Sequence, residues 1–197
     1  DPLMNLLSLL PGFIPVLLFL AGLRMMDSFR LVPGRLVLRS MAVGCAAAGA
    51  AFVVNRWMAA GAGVDRSTLT GVVAPIVEEL LKAALVVYLV ARDRVGFMVD
   101  AGIHGFAVGA GFALIENAYY AHALGETSVW LWVFRGLGTA VMHGSTTAIV
   151  GVLAKYFSDR VGRPMAHLLL PGILLSILLH SGFNRLGAWP LLATASA

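Results

Sequence analysis

Charged residues and cysteines are scarce in this sequence. Only 12% of its 197 residues are charged, whereas soluble globular domains have about 25%, so a sizeable soluble domain is excluded. The single cysteine, Cys45, excludes an internal disulfide and any metal site built from several cysteines of this chain. Hydrophobic residues account for 59% of the sequence instead, and this composition indicates a membrane protein.

The apolar residues occur in long runs, and a helix of about 20 such residues spans a bilayer. We predict six spans, at residues 5–23, 37–58, 69–91, 97–121, 128–152 and 166–189. The expected fold is therefore all-α, a polytopic transmembrane helical bundle. Residues 1–197 are expected to form one membrane-embedded domain surrounded by the lipid bilayer.

The basic residues indicate how the spans are oriented. The net charge is +4, and the arginines between the apolar runs are typical of membrane-flanking charge rather than of nucleic-acid binding. They are concentrated in the first, third and fifth connections, which the positive-inside rule places in the cytoplasm. Both termini are then expected to face outwards. Because Arg24 and Arg30 follow the first apolar run, we interpret this run as a retained helix and not as a signal peptide.

Several ionisable residues lie inside the predicted spans, where one charge at the bilayer centre costs about 2.5–3.5 kcal/mol. Such residues are functional-site candidates by default, and five of them are in the last four spans: Glu78, Glu79, Glu116, His143 and His180. Lys82 is four residues after Glu78, the favourable order for an ion pair on one helix face. In the inferred topology the cluster lies in the outer half to the middle of the membrane, and we interpret it as a hydrolytic site.

A buried network of glutamates and histidines also suits a proton-coupled transporter or a non-enzymatic scaffold. A transporter of this kind would be expected to show an inverted repeat, and we find none in the sequence. A scaffold stays open as an alternative. Among proteases, the zinc motif His-Glu-x-x-His is absent, and His143 and Ser145 face apart because they are two residues apart on one helix.

Four ordered motifs resemble those of a known family. They are Glu78-Glu79-x-x-Lys82, Phe112-x-x-x-Glu116-Asn117, an isolated His143, and His180-x-x-x-Asn184. Together they cover about residues 69–190 and resemble the PrsW family of intramembrane proteases, relatives of the type II CAAX prenyl endopeptidases. The CAAX enzymes have Glu-Glu-x-x-x-Arg and Phe-x-x-x-His at the first two motifs. The lysine and the third glutamate of this chain therefore favour the PrsW branch.

The resemblance implies a substrate and a location. Family members cleave membrane-anchored regulatory proteins, and in some bacteria they make the first cut in an anti-sigma factor near the outer side of the membrane. We therefore expect a single-span membrane protein as the substrate. The expected location is the cytoplasmic membrane of a bacterium or an archaeon, and the oligomeric state stays open.

Peptide hydrolysis needs an activated water, an oxyanion stabiliser and a proton donor for the leaving amine. Glu78 or Glu79 is the expected general base. Glu79 is favoured because Glu78 is predicted to pair with Lys82. The remaining roles are oxyanion stabilisation or metal binding by His143 and His180, and orientation of the site by Asn117 and Asn184.

Two versions of the chemistry stay open. In the favoured version, Glu116, His143 and His180 bind zinc and leave a fourth position for water. In the other version, a Glu–His pair activates water without a metal, as has been argued for the CAAX relatives.

Overall fold

The structure, a computed structural model, describes residues 10, 13–22, 25, 32–61, 63–124, 129–162 and 169–195. Within these residues the regular secondary structure is entirely helical, so the predicted all-α bundle is confirmed. The helices are α1 (Phe13–Gly22), α2 (Gly34–Gly61), α3 (Arg66–Thr68), a π-helical turn (Leu69–Val73), α4 (Ala74–Ala91), α5 (Met98–Leu124), α6 (Val129–Val161) and α7 (Leu170–Ala195).

Each predicted span corresponds to a helical segment, but the predicted count of six spans is not supported. Within the described residues, three helices are long and apolar enough to cross a bilayer: Gly34–Gly61, Met98–Ala123 and Arg135–Val161. Helix α4 has only 18 residues, and three of them are charged. The described part of α1 is shorter still, because Phe13–Gly22 rises only about 15 Å across a hydrocarbon core of about 30 Å.

Helix α5 is the central element of the bundle and packs between α2 and α6. Two glycines allow its backbone to approach these neighbours closely. A Cβ atom added at Gly109 would overlap the carbonyl oxygen of His143 on α6, and one added at Gly111 would overlap the carbonyl oxygen of Met41 on α2. Small residues permit such backbone contact between helices in lipid. One of these contacts is with the backbone of a predicted site residue, His143.

The segment before α4 has an unusual turn that affects the site. Asp65 caps α3 by accepting hydrogen bonds from Ser67 Oγ (2.5 Å) and from the Thr68 backbone N–H (3.0 Å). These hydrogen bonds lower the pKa of the Asp65 carboxyl below its ordinary value. The chain then enters the π turn, in which the N–H of Ala74 donates to the carbonyl of Leu69.

The next hydrogen bond of the π turn cannot form. It would link residue 75 to the carbonyl of Thr70, but residue 75 is a proline and has no N–H. The side chain of Asn184 on α7 supplies the missing donor, because its Nδ2 atom lies 3.0 Å from the Thr70 carbonyl oxygen. Asn184 therefore ties α7 to the start of the helix that carries the glutamate pair. Such π turns are often found at functional sites.

Candidate active site

Four helices bring the five predicted ionisable residues into one cluster. Helix α4 contributes two glutamates, and α5, α6 and α7 contribute one residue each: Glu78, Glu79, Glu116, His143 and His180. His143, His180 and Glu79 are at most 1% exposed. The side chains of Glu78 and Glu116 are 15% and 24% accessible, so these two carboxylates form the open side of the cluster.

The ion pair inside the cluster differs from the predicted one. Lys82 Nζ lies 2.5 Å from Glu79 Oε1, so the predicted pairing of Lys82 with Glu78 is wrong. Residues three apart on a helix share a face as well as residues four apart do, and here the bundle interior lies on the Glu79 side. Glu79 also accepts a hydrogen bond from Thr146 Oγ1 at 3.3 Å. The reason for favouring Glu79 as the base is thereby removed, because Glu79 is the carboxylate that the lysine neutralises.

His143 connects Lys82 to Glu116. Its Nδ1 atom lies 2.8 Å from Lys82 Nζ, and its Nε2 atom lies 2.7 Å from Glu116 Oε2. An ammonium group can only donate, so Nδ1 accepts, and the proton of the neutral imidazole is on Nε2 and is donated to Glu116. Phe112 packs on the same ring with its centroid 4.9 Å away. The tautomer and the orientation of His143 are thereby fixed by its neighbours.

His180 contacts both adjacent glutamates through its two ring nitrogens. Nδ1 lies 2.8 Å from Glu79 Oε1, and Nε2 lies 3.7 Å from Glu78 Oε2. Adjacent residues point about 100° apart around a helix, so the two glutamates approach the site with different geometry. Both do reach this site, because the imidazole of His180 lies between them.

The gap between His180 and Glu78 is chemically informative. Since Glu79 accepts the Nδ1 proton, Nε2 of the neutral imidazole has a lone pair, and it faces a carboxylate oxygen across 3.7 Å. Two acceptors can face each other in a buried site only if a proton, a water or a cation lies between them. The site is therefore built to hold one of these at this position.

Two further contacts of the cluster were not predicted from the sequence. Asn55 on α2 donates from Nδ2 to Glu78 Oε1 at 3.2 Å. Arg135 on α6 lies 3.5 Å from Glu116 Oε1 and stacks on the Tyr120 ring at 3.9 Å. A sequence signal existed for both residues, because Asn55 is a polar side chain near the end of a long apolar run and Arg135 is a charged one inside the predicted span 128–152.

A cavity of about 670 Å³ opens beside the two accessible carboxylates. Both Glu78 and Glu116 line it, together with Asn55. Most of the remaining wall consists of small apolar or aromatic residues from α2 and α5, such as Ala51 and Phe52. Its volume is within the range of about 300–1,000 Å³ that is typical of ligand pockets, so the acidic side of the cluster faces a space that can admit a substrate segment.

The two predicted supporting asparagines lie at different places. Asn117 is buried and accepts a hydrogen bond from Thr139 Oγ1 at 3.1 Å, which links α5 to α6 one residue after Glu116. Asn184 contacts the Thr70 carbonyl, as described above. These two hydrogen bonds therefore connect helices that carry site residues.

The comparisons with known proteins identify the family. The sequence model described as PrsW family intramembrane metalloprotease matches residues 32–196, which is most of the chain. The chain belongs to this family. It is therefore an intramembrane endopeptidase and an integral membrane protein, and the family predicted from the four motifs is confirmed. No curated protein and no solved structure matches the chain.

The donor atoms of this PrsW protease fit a divalent metal ion. One carboxylate oxygen of Glu78 and one nitrogen each of His143 and His180 lie within 4.8 Å of one another. Two ligand atoms of a tetrahedral zinc ion are about 3.3–3.5 Å apart, given bond lengths of about 2.0–2.2 Å. The His180–Glu78 distance of 3.7 Å is close to this value, and carboxylate and imidazole are ligands that zinc accepts.

The net charge of the cluster also favours a bound cation. The cluster has three carboxylates against two cations, Lys82 and Arg135, so one negative charge is left to be balanced by a proton or by a metal cation. Glu79 Oε2 is buried and has no hydrogen-bond partner within the described residues. The predicted metal cofactor is thus supported, but Glu78 takes the place in the donor group that we expected for Glu116. Glu116 instead accepts a hydrogen bond from His143.

Proposed function

We propose that this protease cleaves a single-span, membrane-anchored regulatory protein within the outer half of the bilayer, with Glu78 as the general base. The observation that supports this role is the position of Glu78. It lines the cavity, and its Oε2 atom faces the lone pair of His180 across the 3.7 Å gap. A base must reach the proton that it removes directly or through one water, and a cavity water beside Oε2 meets this condition.

The residues of the cluster divide the chemistry between them. Glu78 accepts a proton from the attacking water at Oε2 and returns it to the amine that leaves. Glu79 holds His180 through Nδ1 and is itself neutralised by Lys82. Glu116 holds His143 through Nε2, and Arg135 offsets the charge of Glu116. Carboxylates that bind the second nitrogen of a histidine fix its orientation and make it a better ligand.

In the metal version, for which we propose zinc, Glu78 Oε2 and His180 Nε2 would hold the ion, so Glu78 would be a ligand there and the base only in the metal-free version. His143 would join them only by giving up the hydrogen bond that its Nδ1 atom accepts from Lys82. When bound, such an ion lowers the pKa of a water and polarises the peptide carbonyl. The chain's own contribution is to orient the two imidazoles and to keep the substrate segment inside an apolar cavity.

The topology and the substrate class follow from the charge pattern and the family. The arginine-rich connections support an orientation in which the first turn of α4 is towards the outside, and in this orientation Glu78, near the start of the helix, is in the outer half of the membrane. We propose the cytoplasmic membrane of a bacterium or an archaeon as the location, with both termini outside. An anti-sigma-factor-like protein is the proposed substrate class.

Replacement of the base tests the proposal. We expect Glu78→Gln to reduce cleavage of a co-reconstituted single-span reporter by about 10²–10⁴-fold, the usual contribution of a general base. Asp159→Asn is the matched control, because Asp159 is 52% exposed on the last turns of α6 and contacts Lys155 outside the cluster. Undiminished cleavage by the Glu78→Gln protein would overturn the assignment.

Metal removal tests the cofactor. We expect about one zinc ion per purified chain and a loss of cleavage after chelation that returns when zinc is added back. Full activity after complete metal removal would refute the metal version and leave the Glu–His version.

A further inference from the structure

We propose that Asn55 is a positioning residue that orients the carboxylate of Glu78 for catalysis. This inference rests on the proposed role of Glu78 and extends the site to α2, a helix outside the four motifs. Asn55 Nδ2 donates to Glu78 Oε1 at 3.2 Å, while Glu78 Oε2 faces His180 Nε2. A carboxylate has two oxygens in one plane, so fixing one of them directs the other towards His180.

Helix α2 is a rigid support for this hydrogen bond. Gly111 of α5 packs against the backbone of Met41 on α2, and the thiol of Cys45 donates to the Gly111 carbonyl at 3.3 Å. Nearer to Asn55, the rings of Phe52 and Tyr119 pack with their centroids 5.1 Å apart. Several contacts with α5 therefore determine where the Asn55 side chain lies relative to α4. Sites supported by packed helices hold their geometry better than sites on loops.

The other half of the Asn55 amide argues against a purely structural role. Its Oδ1 atom is buried and has no hydrogen-bond partner within the described residues. A buried acceptor without a partner costs free energy, and an apolar residue of similar shape would avoid this cost. Asparagine at this position is thus unfavourable for stability, and what it provides is the donor to Glu78.

This reasoning separates the effect on activity from the effect on stability. We expect Asn55→Leu to lower kcat by about 10–100-fold, the usual loss when a residue that orients a site ligand is replaced. The same variant should unfold at the same temperature as the wild type or at a higher one. Because Asn55 acts through the base, KM for the reporter should change less than threefold (about 0.6 kcal/mol).

A second substitution and a control sharpen the test. Asn55→Asp keeps the shape but replaces the donor by a carboxylate, so it should lose activity as Asn55→Leu does. Val54→Leu, at the neighbouring and exposed position of α2, should leave kcat unchanged. Wild-type kcat in both Asn55 variants would overturn the proposal. If the leucine variant does not fold, the aspartate variant decides alone.

A double substitution distinguishes this proposal from the role of Glu78 itself. If Asn55 acts through Glu78, adding Asn55→Leu to the Glu78→Gln protein should lower the residual rate by less than threefold. A further 10–100-fold loss would show that Asn55 acts elsewhere. Full activity of Glu78→Gln alone would refute the proposed base, whereas an inactive Glu78→Gln protein with fully active Asn55 variants would refute only the role of Asn55.

Discussion

The buried lysine provides a stringent test of how the cluster is balanced. Lys82 is 0% exposed and contacts both Glu79 and His143. In Lys82→Met the Glu79 carboxylate stays buried, with His180 and Thr146 as its remaining partners. Removing one member of a buried ion pair costs about 3–5 kcal/mol. Since 1 kcal/mol shifts the Tm of a chain of this size by about 2–4 °C, we expect a decrease of about 6–20 °C.

The assay is thermal unfolding of the purified protein in detergent, followed by circular dichroism. Lys155→Met is the matched control, because the partner of Lys155, Asp159, is 52% exposed and stays solvated when the lysine is lost. Its expected cost is about 0–1 kcal/mol. The double variant Lys82→Met with Glu79→Gln should recover most of the lost stability, because no uncompensated charge is left. A Lys82→Met protein as stable as the wild type would refute the reasoning.

Two further predictions concern packing and topology. Gly109→Ala should destabilise the protein by about 1–3 kcal/mol, because its new Cβ would overlap the His143 carbonyl. The control Gly49→Ala should be neutral or stabilising, because its Cβ would meet no neighbouring atom within 4 Å. Equal unfolding temperatures of the two variants would contradict this prediction. In a Cys45→Ala background, a membrane-impermeant thiol reagent should label Ser67→Cys and spare Phe97→Cys in intact cells, since Phe97 lies at the cytoplasmic end of the predicted span 97–121 and Ser67 lies in a predicted outer connection. The opposite labelling pattern would reverse the proposed topology.

The membrane class and the composition of the cluster could be predicted because both depend on strong local signals. A charged side chain inside an apolar run costs free energy in a membrane, so the few ionisable residues within such runs stand out in the sequence. The structure brings Glu116, His143 and His180 together although they come from three different helices. Here the sequence signal was the ionisable residue itself, and no knowledge of the packing was needed.

The contacts within the cluster depended on packing and could not be predicted in the same way. Glu78 and Glu79 are both within reach of Lys82 along the helix, and only the direction of the bundle interior selects Glu79. Asn55 belongs to a helix without any motif, so its contact with Glu78 became visible only when α2 was placed beside α4. Among the residues that the structure describes, fewer than six helices are long and apolar enough to cross a bilayer, because hydropathy along the chain does not show how much of each apolar run becomes a long, uncharged helix.

The glycine contacts of α5 also have a mechanical consequence. Because its backbone touches the backbones of α2 and α6, these three helices should behave as a single frame in which sliding of one helix past another is blocked. The start of α4 is attached differently, since the side chain of Asn184 holds the π turn through one hydrogen bond to Thr70. We therefore expect a substrate segment to gain access to Glu78 by a hinge movement at this turn, while the frame keeps the imidazole of His143 stationary.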